Sequence, residues 1–325
     1  MLKDTFQRAH NYLRISLTDA CNFRCLYCMP ESMHFMPSAR LMNAEEIQRI
    51  AECFVRLGTT KIRLTGGEPL VRKDARPILH QLSTLPVELT LTSNGYFVHE
   101  FITDFLQAGI RSVNISLDTL NPARFKTMTR RDGFQQVWNN ILSLIENGIR
   151  VKINCVAMKG INDDEVIQFV ALTKELPVHV RFIEFMPFHK NAWQGAAVLP
   201  FHEMMQQIES QFTVIKLRDE QQDTTKKFIV PGHAGTFAAI TTMTQPFCSG
   251  CNRMRLTADG KMKNCLFSQD ETDILTALRN GLAIEPLIRQ NILEKKLETG
   301  GQLLRNYEHI DPELVKNRPM IQIGG

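Results

Sequence analysis

The chain has 325 residues, 43% of them hydrophobic and 22% charged, with 18 Gly and 14 Pro; this is ordinary globular usage and excludes a collagen-like, disordered or coiled-coil protein. The net charge of +4 with a pI near 8.6 is too mild for a dedicated nucleic-acid binder. No run reaches the roughly 18 apolar residues of a membrane span, residues 1–17 lack an apolar secretory stretch, and a cytoplasmic location is expected.

Strand-type runs recur at 12–17, 60–65, 87–92, 110–117, 151–157 and 178–186, each followed by a helical stretch. Asn43 with Glu46 three residues on reads as a capping box, followed by Ile47, Ile50 and Phe54 at helical spacing. Helices are expected over 97–108 and 134–147, each closing at a glycine, Gly109 and Gly148. Strand–helix alternation predicts a parallel sheet with right-handed crossovers. With a period of two, one strand face reads Leu13/Ile15, Ile62/Leu64, Leu89/Leu91, Val113/Ile115, Ile153/Cys155 and Ile183/Phe185. The other reads Arg14/Ser16/Thr18, Arg63/Thr65, Thr90/Thr92, Asn114/Ser116/Asp118, Lys152/Asn154 and Glu184/Met186.

A closed eight-stranded barrel fills its interior with branched apolar side chains. Burying the polar face unpaired would cost about 1–3 kcal/mol per group. The fold expected is therefore α/β, an incomplete (β/α)6 TIM-type barrel open enough for a polar ligand, with a doubly wound sheet as the alternative. After Met186 the pattern breaks into a loop at 191–198, a helix at 200–211 and strand-like runs at 212–217, 227–230 and 237–243; helices follow at 272–280 and 285–297. This divides the chain into residues 1–210 and 211–325.

Six of the 8 Cys fall in two groups, Cys21-x3-Cys25-x2-Cys28 and Cys248-x2-Cys251-x13-Cys265. Tight cysteine groups without secretory signals point to metal or redox chemistry. Three thiolates leave one iron of a four-iron cube open to a small molecule, whereas structural zinc requires four closed ligands. Zinc completed by His34 or His233 stays as the alternative. Cys53 and Cys155 occupy apolar faces and read as buried bystanders. Arg253 and Arg255 alternate on one face beside the second group, suiting an anionic or purine ligand. By composition alone Thr92 and Ser116 are ordinary strand residues and Met186 a core residue.

The x3, x2 cysteine spacing with Tyr27 before the third Cys, and Gly66-Gly67-Glu68-Pro69 after the second strand, resemble the radical S-adenosylmethionine (SAM) superfamily. The resemblance narrows to the MoaA family, the GTP 3′,8-cyclases of molybdenum cofactor biosynthesis. It is carried by Arg14–Asp19 (Arg-Ile-Ser-Leu-Thr-Asp), Lys61–Pro69, Ser116-Leu117-Asp118, Lys159–Asp163, Phe185-Met186-Pro187, Cys248–Arg255 and the Gly-Gly tail. It implies two [4Fe-4S] clusters, held by Cys21, Cys25 and Cys28 and by Cys248, Cys251 and Cys265. It implies SAM contacts at Tyr27, Gly67, Ser116 and Met186, and GTP contacts at Arg14, Arg63, Thr92, Lys152, Arg253 and Arg255. The tail residues Gly324 and Gly325 would enter the active site. The reaction implied is abstraction of the 3′ hydrogen of GTP by a 5′-deoxyadenosyl radical, with the carbon radical then attacking guanine C8. A homodimer, an external one-electron reductant and a pathway link to pyranopterin monophosphate synthase are implied as well, without nucleic acid or membrane. A peptide-modifying radical enzyme and a cluster-based regulator are the competing readings. The family often has Thr-Thr-Asn-Gly where this chain has Thr92-Ser93-Asn94-Gly95.

Overall fold

The computed structural model describes residues 1–29, 32–189, 191–220, 222–303 and 307–324. Strand-forming runs assemble into one sheet: β1 (Tyr12–Ser16), β2 (Lys61–Thr65), β3 (Glu88–Ser93), β4 (Ser112–Ser116), β5 (Arg150–Ala157), β6 (His179–Glu184), β7 (Ile215–Lys216), β8 (Lys226–Ile229), β9 (Thr236–Ile240), β10 (Arg253–Leu256), β11 (Lys261–Lys263) and β12 (Thr272–Asp273). Their order is β12-β11-β10-β1-β2-β3-β4-β5-β6-β9-β8-β7. Helices α1 (Ala44–Arg56), α2 (Ala75–Ser83), α3 (Ile102–Gln107), α4 (Pro122–Thr129), α5 (Phe134–Glu146), α6 (Val166–Leu172) and α7 (Phe201–Glu209) fill the connections, and α8 (Ile274–Arg279), α9 (Glu285–Leu293) and α10 (Met320–Ile323) follow the last strand.

Strands β1 to β6 are parallel and stand in chain order, so every crossover steps the same way. With right-handed crossovers this sets the helices along one face. A doubly wound sheet, by contrast, reverses its order at a switch point. The array is wider than the six strands expected: β10 joins β1 and β9 joins β6, both parallel. One sheet thus crosses residue 210. Side chains near both outer strands, Ile240 and Arg253 among them, line a single cavity, so the sheet curls.

Local chemistry explains the elements. Asn43 accepts from the Glu46 amide while the Glu46 carboxylate accepts from the Asn43 amide, both at 2.8 Å, closing the capping box of α1. Its Ile47, Ile50 and Phe54 are fully buried with Leu13, Ile15, Ile62, Leu64, Val113 and Ile115 of the sheet. Each such side chain contributes about 1.5–3 kcal/mol relative to exposure. The helix expected over 97–108 divides into a 3-10 turn at Val98–Glu100 and α3.

One strand reverses the expected phase. In β6 it is Val180 and Phe182 that pack in the core, while Arg181 and Ile183 face the cavity. Ile183 and Phe185 were expected on the core face. Val178, Val180 and Phe182 alternate with His179 and Arg181, whereas Ile183 and Phe185 flank Glu184 in the other phase, so the two halves of the run point opposite ways. The register does choose, because Asn154 of β5 stands beside Arg181.

Candidate active site

The loop after β1 carries Cys21, Cys25 and Cys28, all half-buried. It is fixed by the Gly66-Gly67-Glu68-Pro69 turn: the Gly67 amide donates to the Thr18 carbonyl at 2.7 Å and the Glu68 amide to the Ala20 carbonyl at 2.9 Å. A Cβ on Gly67 would stand 2.4 Å from the Ala20 oxygen. Gly67→Ala is therefore expected to destabilise the fold by about 1–3 kcal/mol and to weaken iron uptake by the adjacent thiols. Thermal unfolding and iron content measured together check both effects.

The buried Glu68 carboxylate accepts from the amides of Leu70 (3.1 Å) and Asn94 (2.6 Å) and from Ser93 Oγ (3.0 Å). Burial pushes it up to about 7 despite these donors. Asn94 Nδ2 in turn reaches Asn22 Oδ1 at 2.7 Å and Cys21 Sγ at 3.7 Å. Ser93 thus has a defined partner, Glu68. Tyr27 Oη donates to Asp118 Oδ2 at 2.8 Å. Tyr27, Ser116, Asp118 and Cys25 line one small pocket. Burial first, then neighbouring thiols and carboxylates, push Cys21 up to about 11 and Cys28 up to about 12.

The second triad lies across the sheet. Cys248, Cys251 and Cys265 line one cavity with Arg14, Thr92, Met186, Arg253 and Arg255. Met186 belongs to this cavity and not to the small pocket of Tyr27 and Ser116, although it packs in the same apolar cluster as Tyr27. Burial raises the Cys251 thiol, but Arg253 and Lys295 outweigh it and bring the group down to about 6. His233 bonds Thr173 Oγ1 at 2.8 Å and packs edge-on against Phe212, away from this lining. Cys53 and Cys155 are buried in the core.

The two triads can be tested against iron by their donor chemistry. Among the described residues, no three Cys, His, Asp or Glu side chains converge closely enough for a single ion. The thiols of each triad nevertheless lie close enough to influence one another: Cys25 feels the charge of Cys28 and Cys21, and Cys248 that of Cys265 and Cys251. Three thiols in each group, with no carboxylate or imidazole among them, are a donor set that suits a sulfur-bridged iron cluster. Coordination itself would hold those thiols deprotonated.

A second cavity adjoins the first, sharing Arg14, Arg181 and Arg253, and is further lined by Tyr12, Lys61, Arg63, Lys152 and His179. Strand register builds this charge: Arg255, Arg14 and Arg63 stand side by side across β10, β1 and β2. Arg14 Nε and Arg181 Nε are buried without a protein hydrogen-bond partner. Burial first, then neighbouring cations, push Arg14 down to about 10 and Arg181 down to about 9. Burial raises the Tyr12 phenol, yet Arg14, Arg63 and Lys61 bring it down to about 7. Cations this crowded call for a polyanion. Arg63 also reaches Thr92 Oγ1 at 3.4 Å. Arg181, Lys61 and Tyr12 were missed from sequence. Lys61-x-Arg63 carried a usable alternation, and Arg181 was hidden by the misphased strand.

The C-terminal helix α10 (Met320–Ile323) delivers Gly324 into the site. The Gly324 carbonyl accepts from Arg255 Nη1 at 2.5 Å. Its φ of +83°, and a Cβ position only 2.5 Å from Thr65 Oγ1, leave room for glycine alone. Arg318 anchors the segment through Asp259 (2.8 Å) and Glu271. Gly325 lies outside the described residues.

Comparison with known proteins identifies the family. The Radical SAM superfamily model matches residues 15–173, and the Molybdenum Cofactor Synthesis C model matches 178–300. The mitochondrial GTP 3′,8-cyclase of Arabidopsis thaliana is 46% identical over 333 residues, covering 100% of this chain and 84% of the relative. The GTP 3′,8-cyclase of Desulforamulus reducens is 38% identical, with 99% of each chain covered. Molybdenum cofactor biosynthesis protein 1 of Homo sapiens is 43% identical, and this chain spans 51% of its length. Streptococcus suis SuiB bound to S-adenosylmethionine shares the fold at TM-score 0.63 and 14% identity, over 86% of this chain and 68% of that one. The chain belongs to the GTP 3′,8-cyclase family of the radical SAM superfamily.

Proposed function

We propose that this chain converts GTP to (8S)-3′,8-cyclo-7,8-dihydroguanosine 5′-triphosphate, an early step of molybdenum cofactor biosynthesis. The observation that carries the reading is the pair of adjoining cavities, one lined by a thiol triad and the other by cations, joined through Arg14 and Arg253. A molecule with an aromatic base at one end and a triphosphate at the other matches that polarity.

In this reading residues 1–210 form an incomplete (β/α)6 TIM-type barrel and residues 211–325 carry the second cluster and the tail. Cys21, Cys25 and Cys28 would hold the first [4Fe-4S] cluster; Cys248, Cys251 and Cys265 would hold the second, on the cavity given to the purine. When bound, the first cluster and SAM supply the radical that takes the 3′ hydrogen of GTP before closure onto C8. Tyr27, Gly67, Ser116 and Met186 would contact SAM, with Asp118 fixing the Tyr27 hydroxyl. Arg14, Arg63 and Lys152 would grip the triphosphate and Thr92 would support Arg63, while Arg253 and Arg255 would set the base against the second triad. The curled sheet excludes water by surrounding the reacting sugar, and the tail would close the chamber. A cytoplasmic homodimer, fed by an external one-electron reductant and supplying pyranopterin monophosphate synthase, completes the proposal.

Burial and the charges of Arg181, Arg63 and Lys61 push Lys152 down to about 8. A triphosphate stabilises its protonated form, so binding takes up a proton above that pH. KM for GTP is expected to rise past pH 8, by up to about tenfold per unit for one linked proton, and Lys152→Met should flatten the rise. Steady-state kinetics from pH 7 to 9.5 would measure it.

The reaction is tested with GTP deuterated at C3′. Deuterium appearing in 5′-deoxyadenosine supports the assignment; unlabelled 5′-deoxyadenosine beside cyclised product contradicts it.

A further inference from the structure

Lys295, two residues past α9 (Glu285–Leu293), is 4% exposed. Its ammonium donates to Cys251 Sγ at 3.4 Å and to the Arg253 carbonyl at 3.2 Å. A buried ammonium is costly unless it is paired. Among the described residues, these bonds go to a sulfur and a carbonyl and not to a carboxylate. Its compensating partner is therefore the thiol itself.

The same segment touches the triad again. The Thr299 amide donates to Cys248 Sγ at 3.4 Å. Between the two contacts, Arg8 gathers the carbonyls of Lys296 (2.8 Å), Leu297 (2.6 Å) and Cys248 (2.8 Å) onto one guanidinium. Residues 295–299 are thus belted to the cysteine loop, and the position of the ammonium is fixed by backbone on both sides.

The first triad is built differently. Cys21 Sγ takes neutral donors, the Phe23 amide at 3.4 Å and Asn94 Nδ2 at 3.7 Å. The groups beside those thiols are two buried carboxylates, Glu68 at 0% and Asp118 at 7% exposure, and Arg24, whose guanidinium donates to the Cys21 carbonyl at 2.6 Å and not to the sulfur. Reducing an iron–sulfur group adds negative charge. Cations and hydrogen bonds to ligand sulfur stabilise the reduced form, and carboxylates oppose it.

We propose that Lys295 is a positioning and redox-tuning residue: it holds Cys251 Sγ and raises the reduction potential of the iron–sulfur group at the second triad above that at the first. The inference rests on the reading that both triads hold clusters. Electrons entering the protein would then settle on the cluster beside the purine, while the first cluster keeps the low potential that cleaving SAM demands.

The test uses the full-length protein, reconstituted anaerobically as wild type, Lys295→Met and Lys295→Arg. Iron and sulfide are counted and both centres titrated potentiometrically by electron paramagnetic resonance, the second centre being the signal that persists in Cys25→Ala. The second midpoint is expected to fall in Lys295→Met, by about 59 mV for a tenfold change in a one-electron equilibrium. The first should stay in place, and Lys295→Arg should remain near wild type. Loss of the second centre from Lys295→Met alone, with Lys295→Arg loaded, also supports the holding role. Unchanged midpoints in a fully loaded Lys295→Met would overturn the role and leave the cluster reading standing. A wild-type chain carrying iron for one centre would overturn both.

Discussion

Cys25→Ala is expected to abolish cleavage of SAM while leaving the chain folded. Cys25 stands between Cys21 and Cys28 and feels the charge of both. A three-thiol site has no spare ligand, so the loss should reach at least a thousandfold, beyond the ~10–100-fold typical of outer-shell partners. Iron content should fall by about half, because the second triad lies across the sheet and shares no ligand with the first. The backbone should survive, since the Cys28 and Met29 amides bond the Cys25 carbonyl and not its sulfur. Iron analysis, circular dichroism and 5′-deoxyadenosine production on one preparation check all three. Undiminished 5′-deoxyadenosine would remove this triad from the chemistry.

Arg255→Ala is expected to separate the two halves of the reaction. The side chain is 5% exposed, crowded by Arg14 and Arg253, and bonds the Gly324 carbonyl at 2.5 Å. Removing it relieves repulsion from Arg14 and Arg253, so the fold should not weaken. What is lost is one charge-assisted contact to GTP and the grip on the tail. At about 1.5–3 kcal/mol for a hydrogen bond to a charged group, kcat/KM for GTP should drop on the order of 10- to 100-fold. Both clusters and SAM cleavage should persist, so more 5′-deoxyadenosine forms per cyclised product. A wild-type ratio at wild-type turnover would refute the role given to Arg255.

The residues that proved legible in sequence share a feature: their chemistry is written in spacing. The Asn43 capping box and the inward row of Arg14, Arg63, Asn114, Lys152 and Asn154 follow from fixed intervals along single elements, and the cysteine triads from their tight spacing in the segments around β1, β10 and β11. What escaped has a physical reason too. Within 178–186 the apolar phase shifts from Val178, Val180 and Phe182 to Ile183 and Phe185; a reading taken from the later residues turned Phe182 outward and lost Arg181, although His179 and Arg181 carried the opposite alternation. The sheet gained β9 and β10 because distant segments supplied partners for two open edges, which local periodicity does not encode. The belt at 295–299 is made by the carbonyls of Lys296 and Leu297 and the amide of Thr299. Backbone groups are common to every residue and leave no signature. The tail was named through family resemblance alone; its fit between Ser16, Thr65 and Arg255 is a matter of three-dimensional packing.

The chain's charge distribution ties these parts together. Two carboxylates and Arg24 stand beside the first triad, Arg253 and Lys295 bond a sulfur of the second, and a further group of cations lies where a triphosphate would rest. The same sheet places all three because neighbouring parallel strands present their inward side chains in register. The most direct measurement is anaerobic turnover of the iron-reconstituted, reduced protein with SAM and GTP, assaying both products by mass. The account predicts 5′-deoxyadenosine together with a cyclised GTP, each dependent on both substrates. Neither product, from a chain that instead binds two zinc ions tightly, would contradict it.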